Sequence, residues 1–597
     1  MQLVTWDTET FFDKEYTLRK LTTESYIRDK RFELLCVALK IGSDTVKAYT
    51  NNDFKALCSE GFFSDTALLG HHQHFDGLIL SHHYGIRPAF WFDTLSMARC
   101  AFPHDKSHSL EALAKKFNLG AKTVPYEEFK GKRREDMDEA LYEKLCNGCR
   151  DDVELTYQVF KRLLPFVPKE ELKIIDMTVR MFTEPVLKLD VPRARKYMEN
   201  LQVQQEELLD RLGVSKTDLA SAEKFAALLE QMGVEPPKKK SPTTGKETYA
   251  FAKTDQGFLE LVNSDIEEVR LLAEARLSTK STIGETRAGR LLCMAERGDL
   301  PVYLRYYGAH TGRWSGGDRT NWQNFPRGGE LRKSILAPEG YVLCVADLSQ
   351  IECRMLNWLA GERWVLNAFR EKRDLYCEMA TAFYGRTITK EDKLERFVGK
   401  TLTLGAGYGV GWAKLQKILA LNKINLTELE AREAIKRYRD KHPHVVQLWS
   451  TMDFCLDKMV KAGRGGKPFE YTFGPLEFTD KEIYLPNDTS MDYSGLEIQD
   501  NEIVLVTGRG ASKIYGGRLT ENLIQALARI VMAEAMLKIA EKYRVVTTTH
   551  DEIVYLVPQE EAEVGMQFGL NVLKTPPKWA RDLPLDAEGG YAANYSK

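Results

Sequence analysis

No stretch of this chain stays apolar for the roughly 18 residues that a bilayer-crossing helix needs, and no charged-then-apolar leader precedes the first strand-like run, Gln2–Trp6. The expectation is therefore a protein with no membrane partner and a cytoplasmic location. Internal repeats and extended low-complexity tracts are also missing. So is any excess of positive charge: the formal net charge is −2. That excludes a globally basic nucleic-acid coat but not a basic groove balanced by acidic sites elsewhere. The 10 cysteines follow no repeated spacing. The close pair Cys146 and Cys149 lacks the second pair a zinc site would need, so these read as bystander thiols in a reducing compartment.

What is present is ordinary globular composition, 43% hydrophobic and 28% charged, over 597 residues. That length allows about three to five domain-sized units. Up to about residue 185, strand-like runs (Gln2–Trp6, Leu34–Ile41) alternate with helix-like ones (Ser109–Phe117, Asp151–Leu164), which implies an α/β domain. Residues 186 to about 300 read as long charged helices interrupted by Pro236-Pro237-Lys238-Lys239-Lys240-Ser241-Pro242. That basic tip fits either an arm gripping a phosphate backbone or a solvated loop.

Chemistry concentrates in the last 300 residues. Val342–Arg354, VLCVADLSQIECR, delivers Asp347 to the end of a buried strand. Val545–Val557, VVTTTHDEIVYLV, places His550, Asp551 and Glu552 at a tight turn. Two carboxylates on neighbouring strand ends can hold a pair of divalent cations, as phosphoryl transfer requires. Between them, Arg396, Lys400, Leu404 and roughly Tyr408 share one helical face. Such a stripe suits a triphosphate with its sugar and base; alone it reads rather as an amphipathic helix with solvated cations, and the two flanking carboxylates shift the reading to the triphosphate. Near the N-terminus, Asp7 and Glu9 sit two apart on a strand and project from one face.

These residues carry a resemblance to family A DNA polymerases, the group of bacterial DNA polymerase I and many phage replicative enzymes. Asp347-Leu-Ser-Gln350-Ile-Glu352-Cys-Arg354 resembles motif A, Arg396-x3-Lys400-x7-Tyr408-Gly409 motif B, and His550-Asp551-Glu552 motif C. Thr311-Gly-Arg313-Trp-Ser and Asn321-Trp-Gln323-Asn324-Phe-Pro326 resemble the primer-template contacts. Glu521-Asn522-Leu-Ile-Gln525 resembles the helix along the minor groove. The resemblance implies a ribonuclease H-like DEDD exonuclease domain (1–185) followed by a right-hand polymerase: thumb 186–300, palm 301–360 and 481–597, fingers 361–480.

By the same resemblance, Asp347 and Asp551 bind two Mg²⁺ (Mn²⁺ substituting), and Arg396 and Lys400 neutralise the triphosphate. Gln350, Leu404, Tyr408 and His550 line the nucleotide. Glu352 excludes a 2′-hydroxyl. Arg313, Gln323, Asn324, Asn522, Gln525 and Lys238–Lys240 contact primer-template DNA. The partners implied are that DNA and dNTPs, around a monomer. Leu348 and Leu404 stand where the family usually has aromatic residues, and the second departure bears on sugar selection.

In the N-terminal part, Asp7, Glu9, Asp76 and Asp152 resemble the four metal ligands of a 3′–5′ proofreading exonuclease, Asp152 being expected to open a helix. His72 stands where the family has Asn and Gly148 where it has a water-orienting Tyr. Tyr142 or one of the histidines between His71 and His83 could supply that role, or the domain is an inert remnant. The histidines themselves read as a polar loop on the nuclease rim. A decayed primer-template binding factor and a single-subunit RNA polymerase are the competing readings. The intact catalytic residues oppose the first, and Glu352 and the exonuclease-like domain oppose the second.

Overall fold

The β-branched and aromatic run Gln2–Thr10 forms a nine-residue strand. It pairs antiparallel with Leu34–Ile41 and parallel with Thr66–Gly70. Lys47–Tyr49 and Phe90–Asp93 complete a five-stranded mixed sheet with Gln2–Thr10 at its centre. In this computed structural model the described residues are 1–120, 126–241, 244–280, 282–422, 424–508 and 510–596. Pro242 of the basic tip lies outside them. The chain divides into two compact units, one of 1–189, 294–366 and 447–597, the other of 190–293 and 367–446.

In the first unit, the Glu139–Leu163 helix packs on the central sheet. It begins at Asp138, whose carboxylate accepts from Leu141 N at 2.8 Å, and nothing breaks it for 25 residues. Asp152 therefore lies in mid-helix and does not open one: the cap that starts the helix is 14 residues earlier. The histidines also depart from expectation. Gln73–Tyr84 is a helix, and its apolar neighbours bury part of the cluster. His74 is 2% exposed between Phe182 and Tyr303, and His83 stacks on Phe32 and contacts the Ile27 carbonyl. Burial pushes the His74 imidazole down to about 3. His74 is a packing element, His71 and His72 are part-buried, and His82 and His83 stay exposed at the end of the helix rather than on a loop.

A second sheet of the same unit is wholly antiparallel, in the order Arg544–Thr549, Glu552–Pro558, Tyr341–Leu348, Ala587–Ala592. Val and Leu are the commonest residues of its two central strands, which are buried on both faces. The Gly516–Ala540 and Ala562–Lys574 helices pack behind it. Gly569 allows the second helix to approach the Tyr555 hydroxyl so closely that a Cβ there would collide with it. Glu171 and Arg529 form a buried ion pair between the Lys169–Thr183 and Gly516–Ala540 helices. Tyr306 and Asn487 donate to the same carboxylate. Full pairing is what makes such burial tolerable.

The second unit is largely helical. Its 190–293 part holds more than two long helices: Val191–Leu212 and Glu267–Lys280 are accompanied by shorter ones. Lys238–Lys240 pairs with Glu247–Tyr249 as a two-stranded ribbon, so the three lysines of the basic tip lie on a strand. Its 367–446 part packs Leu375–Tyr384 against Lys393–Ala406. Gly399 is required there, because a Cβ would meet the Tyr376 carbonyl. Among the described residues, no helix is long and apolar enough to cross a membrane.

Candidate active sites

In the second sheet, Asp347 is the penultimate residue of its strand and pairs in register with Glu552. His550 and Asp551 form the two-residue turn joining the neighbouring strands, and His550 adopts a left-handed φ of 54°. Leu348 N donates to the Asp551 carbonyl at 2.9 Å, which ties the two carboxylate-bearing segments together. Gln350, at φ 53°, begins the Ile351–Ala360 helix. Left-handed non-glycine residues beside both carboxylates mark a site where side-chain placement overrides backbone preference.

Arg327 was not foreseen. Its guanidinium lies 3.3 Å from Asp347 Oδ1 and 3.2 Å from Asp551 Oδ1, bridging the two acids. Burial, and then the Asp347 charge, raise the Asp551 carboxyl, and Arg327 opposes that rise. Two acids this close, Asp347 buried and Asp551 part-buried, call for a cation, and here an arginine that remains half exposed supplies it. Its position directly after the Asn321–Pro326 motif was the available signal.

Glu552, part of the same sequence motif, lies across the ladder from Asp347 and is engaged by other partners. It is fully buried, accepts from Arg332 at 2.7 Å and from the Tyr595 hydroxyl, and so braces the hairpin. Arg313 and Glu352 are paired with each other. Arg354 donates to the Ser349 and Pro584 carbonyls at 2.7 Å and fixes the bend after Asp347. Gln323 is buried in a short 3₁₀ turn, while Asn324 is exposed. Gln525 donates to Glu521. Asn522, expected to contact DNA, is 5% exposed and donates to the buried Tyr493 hydroxyl. Helical phase points it inward, so its part is to hold the helix in place.

In the second unit, Arg396 pairs with Asp374 at 3.0 Å and lies over the Tyr376 ring. Lys400 and Leu404 are exposed on the same face of the Lys393–Ala406 helix. Tyr408 does not continue that stripe. The helix ends at Ala406, where Gly405, Gly407 and Gly409 (φ 75°) favour a turn. Lys238 and Lys240 are exposed, and Lys239 pairs with Asp255 at 2.7 Å.

In the first sheet, strand alternation puts Asp7 and Glu9 on one face. The donor atoms of Asp7, Glu9 and Cys149 all lie within 4.8 Å of one another. Tyr126, from a 3₁₀ turn, donates to Glu9 Oε1 at 3.0 Å and approaches Asp152 Oδ2 at 2.9 Å. Burial, then Glu9 and Asp152, raise its phenol far above the ordinary value, so the hydroxyl stays neutral. Tyr142 does not reach this site: it is buried, with its hydroxyl on the Leu35 carbonyl at 3.1 Å. Asp76 accepts from Thr8, the residue between the two strand acids, and burial raises its carboxyl. His72, at φ 76°, meets the Tyr303 hydroxyl at 2.9 Å.

Residues 188–462 match the family described as DNA polymerase family A, and residues 1–168 match a 3′-5′ exonuclease family. The DNA polymerase of Bacillus phage SP02 is 26% identical across 100% of both chains. The thermostable DNA polymerase I of Thermus filiformis is 25% identical over 74% of this chain, which spans 50% of that protein's length. A solved polymerase domain of Pol1 from M. smegmatis, in complex with DNA primer-template and dNTP, has the same fold. Its TM-score is 0.69 at 18% identity, covering 99% of this chain and 95% of that one. The chain carries a DNA polymerase family A domain over residues 188–462, preceded by a 3′-5′ exonuclease domain over residues 1–168.

Proposed function

We propose that this chain extends primer 3′ ends on a DNA template with dNTPs from the Asp347–Asp551 site and trims them 3′ to 5′ from the Asp7–Glu9 site. The setting is phage DNA replication in the host cytoplasm. The carrying observation is that Asp347 and Asp551 share one guanidinium, which supports reading the pair of acids as a place that gathers positive charge. Both donor sets fit divalent cations, Mg²⁺ with Mn²⁺ as a substitute, two per site. When bound, these neutralise phosphoryl charge and make the attacking oxygen more acidic.

The side chains divide the remaining work. Arg396 and Lys400 offer charge-assisted donors to the triphosphate, Leu404 and Tyr408 pack on sugar and base, and Gln350 and His550 border the nucleotide. Arg313 meets the minor groove at the primer end, with Gln323, Asn324, Gln525 and Lys238–Lys240 along the DNA. Because Arg313 and Glu352 are paired with each other, engagement of Arg313 by DNA releases the Glu352 carboxylate to screen the sugar for a 2′-hydroxyl. At the nuclease site, the neutral Tyr126 hydroxyl between Glu9 and Asp152 is placed to orient water. The reading is tested by extending a labelled primer with dNTPs. Asp347→Ala should lower the rate by roughly 1,000-fold or more, and full activity in that variant would refute the assignment.

A further inference from the structure

The nuclease acids have a neighbour that Mg²⁺ has no use for. Cys149 is fully buried on the Glu139–Leu163 helix, three residues before Asp152 and therefore on the same face. Its Sγ lies 3.5 Å from the Asp7 carbonyl and 3.8 Å from Asp7 Oδ2. Its donor atom, with those of Asp7 and Glu9, forms a group mutually within 4.8 Å. A tetrahedral ion with bonds of about 2.0 Å to oxygen and 2.3 Å to sulfur sets those two ligands roughly 3.5 Å apart. The observed sulfur–oxygen separation is close to that. Hard Mg²⁺ takes oxygen, whereas thiolate ligands select softer ions.

We propose that Asp7, Glu9 and Cys149 form a site for a thiophilic divalent cation of the Zn²⁺ or Cd²⁺ class, with the Cys149 thiolate as a direct ligand. This rests on the reading of Asp7 and Glu9 as the nuclease's metal-binding acids. Binding releases the thiol proton to solvent. Cys36, opposite Glu9 in the sheet register, and Cys146, one turn earlier on the helix, are both buried and wall the sulfur from water. A soft ion seated there competes with Mg²⁺ for Asp7 and Glu9, so the trimming activity, and not extension, becomes sensitive to it.

The test is a Cd²⁺ titration of the full chain in a Cys293→Ser background, which removes the exposed thiol. The readout is ultraviolet sulfur-to-cadmium charge transfer. A saturable band is expected, lost in Cys149→Ser. Cd²⁺ affinity should fall by roughly 100-fold, the upper end of what losing even an outer-shell partner costs. No band, or a band unchanged in Cys149→Ser, overturns the inference. Circular dichroism checks that the variant is folded. If it is not, cadmium NMR of the unsubstituted thiol decides: a resonance in the mixed sulfur–oxygen range supports the site, and an all-oxygen resonance overturns it. Mg²⁺-driven 3′ trimming by the wild type separates the two levels. Trimming without the band overturns the cation site alone; absence of trimming with any cation overturns the nuclease reading as well.

Discussion

The two carboxylate sites of this chain are built differently. At the second sheet, one strand and the adjoining hairpin turn supply both acids, and sheet hydrogen bonds fix their separation. At the first sheet, one strand supplies Asp7 and Glu9, but Asp152 arrives from mid-helix and Tyr126 from a 3₁₀ turn, while Asp76 is tied to Thr8 between the two strand acids. A site fixed by one sheet tolerates little change in its short motifs. A site gathered from several elements can change where a group comes from while keeping the group itself.

That contrast can be broken in several ways. The largest effect is expected from Asp551→Ala, which should cut primer extension by roughly 1,000-fold or more while 3′ trimming persists. Loss of both activities would mean that the sites are not separate. Next, Glu171→Ala strands the buried Arg529 charge and should cost about 3–5 kcal/mol in urea unfolding. A cost below 1 kcal/mol would mean that the pair does not hold the two helices together. Tyr126→Phe should slow trimming by roughly 10- to 100-fold, as loss of a supporting hydrogen bond does at metal sites, with primer extension measured alongside as the control. Equal trimming would return the orienting role to another group. Glu352→Ala should raise ribonucleotide incorporation by roughly tenfold or more, read from competing rNTP and dNTP extension. The smallest change is expected from Tyr595→Phe. It removes one hydrogen bond to Glu552, worth about 1 kcal/mol, and should loosen the Asp551 hairpin only slightly.

The same contrast explains what could be read from the sequence. Asp347 and Asp551 stood out because the strands carrying them are apolar runs ending in acids, and the His550–Asp551 turn is local. Asp7 and Glu9 were legible for the same reason, through strand alternation. Tyr126 was not, because its partners lie 117 and 26 residues away and nothing beside it marks the turn. Arg327 looks like any surface arginine until the fold brings its head to two acids. Helix ends differ from expectation in both regions. The glycines after Leu404 stop the helix before Tyr408, and the Asp138 cap starts the other helix well before Asp152. Glu552 and Asn522 show the remaining limit: membership of a motif does not say which way a side chain faces, and both turn into the core.

The most direct measurement follows a 5′-labelled primer with a mismatched 3′ end, annealed to template in Mg²⁺, in the wild type, Asp347→Ala and Asp7→Ala. Two independent sites predict that the wild type trims the mismatch and then extends with dNTPs. Asp347→Ala should trim without extending, and Asp7→Ala should extend matched primers without trimming mismatched ones. If either single substitution abolishes both reactions in a folded protein, or neither affects its own reaction, the two-site account is contradicted.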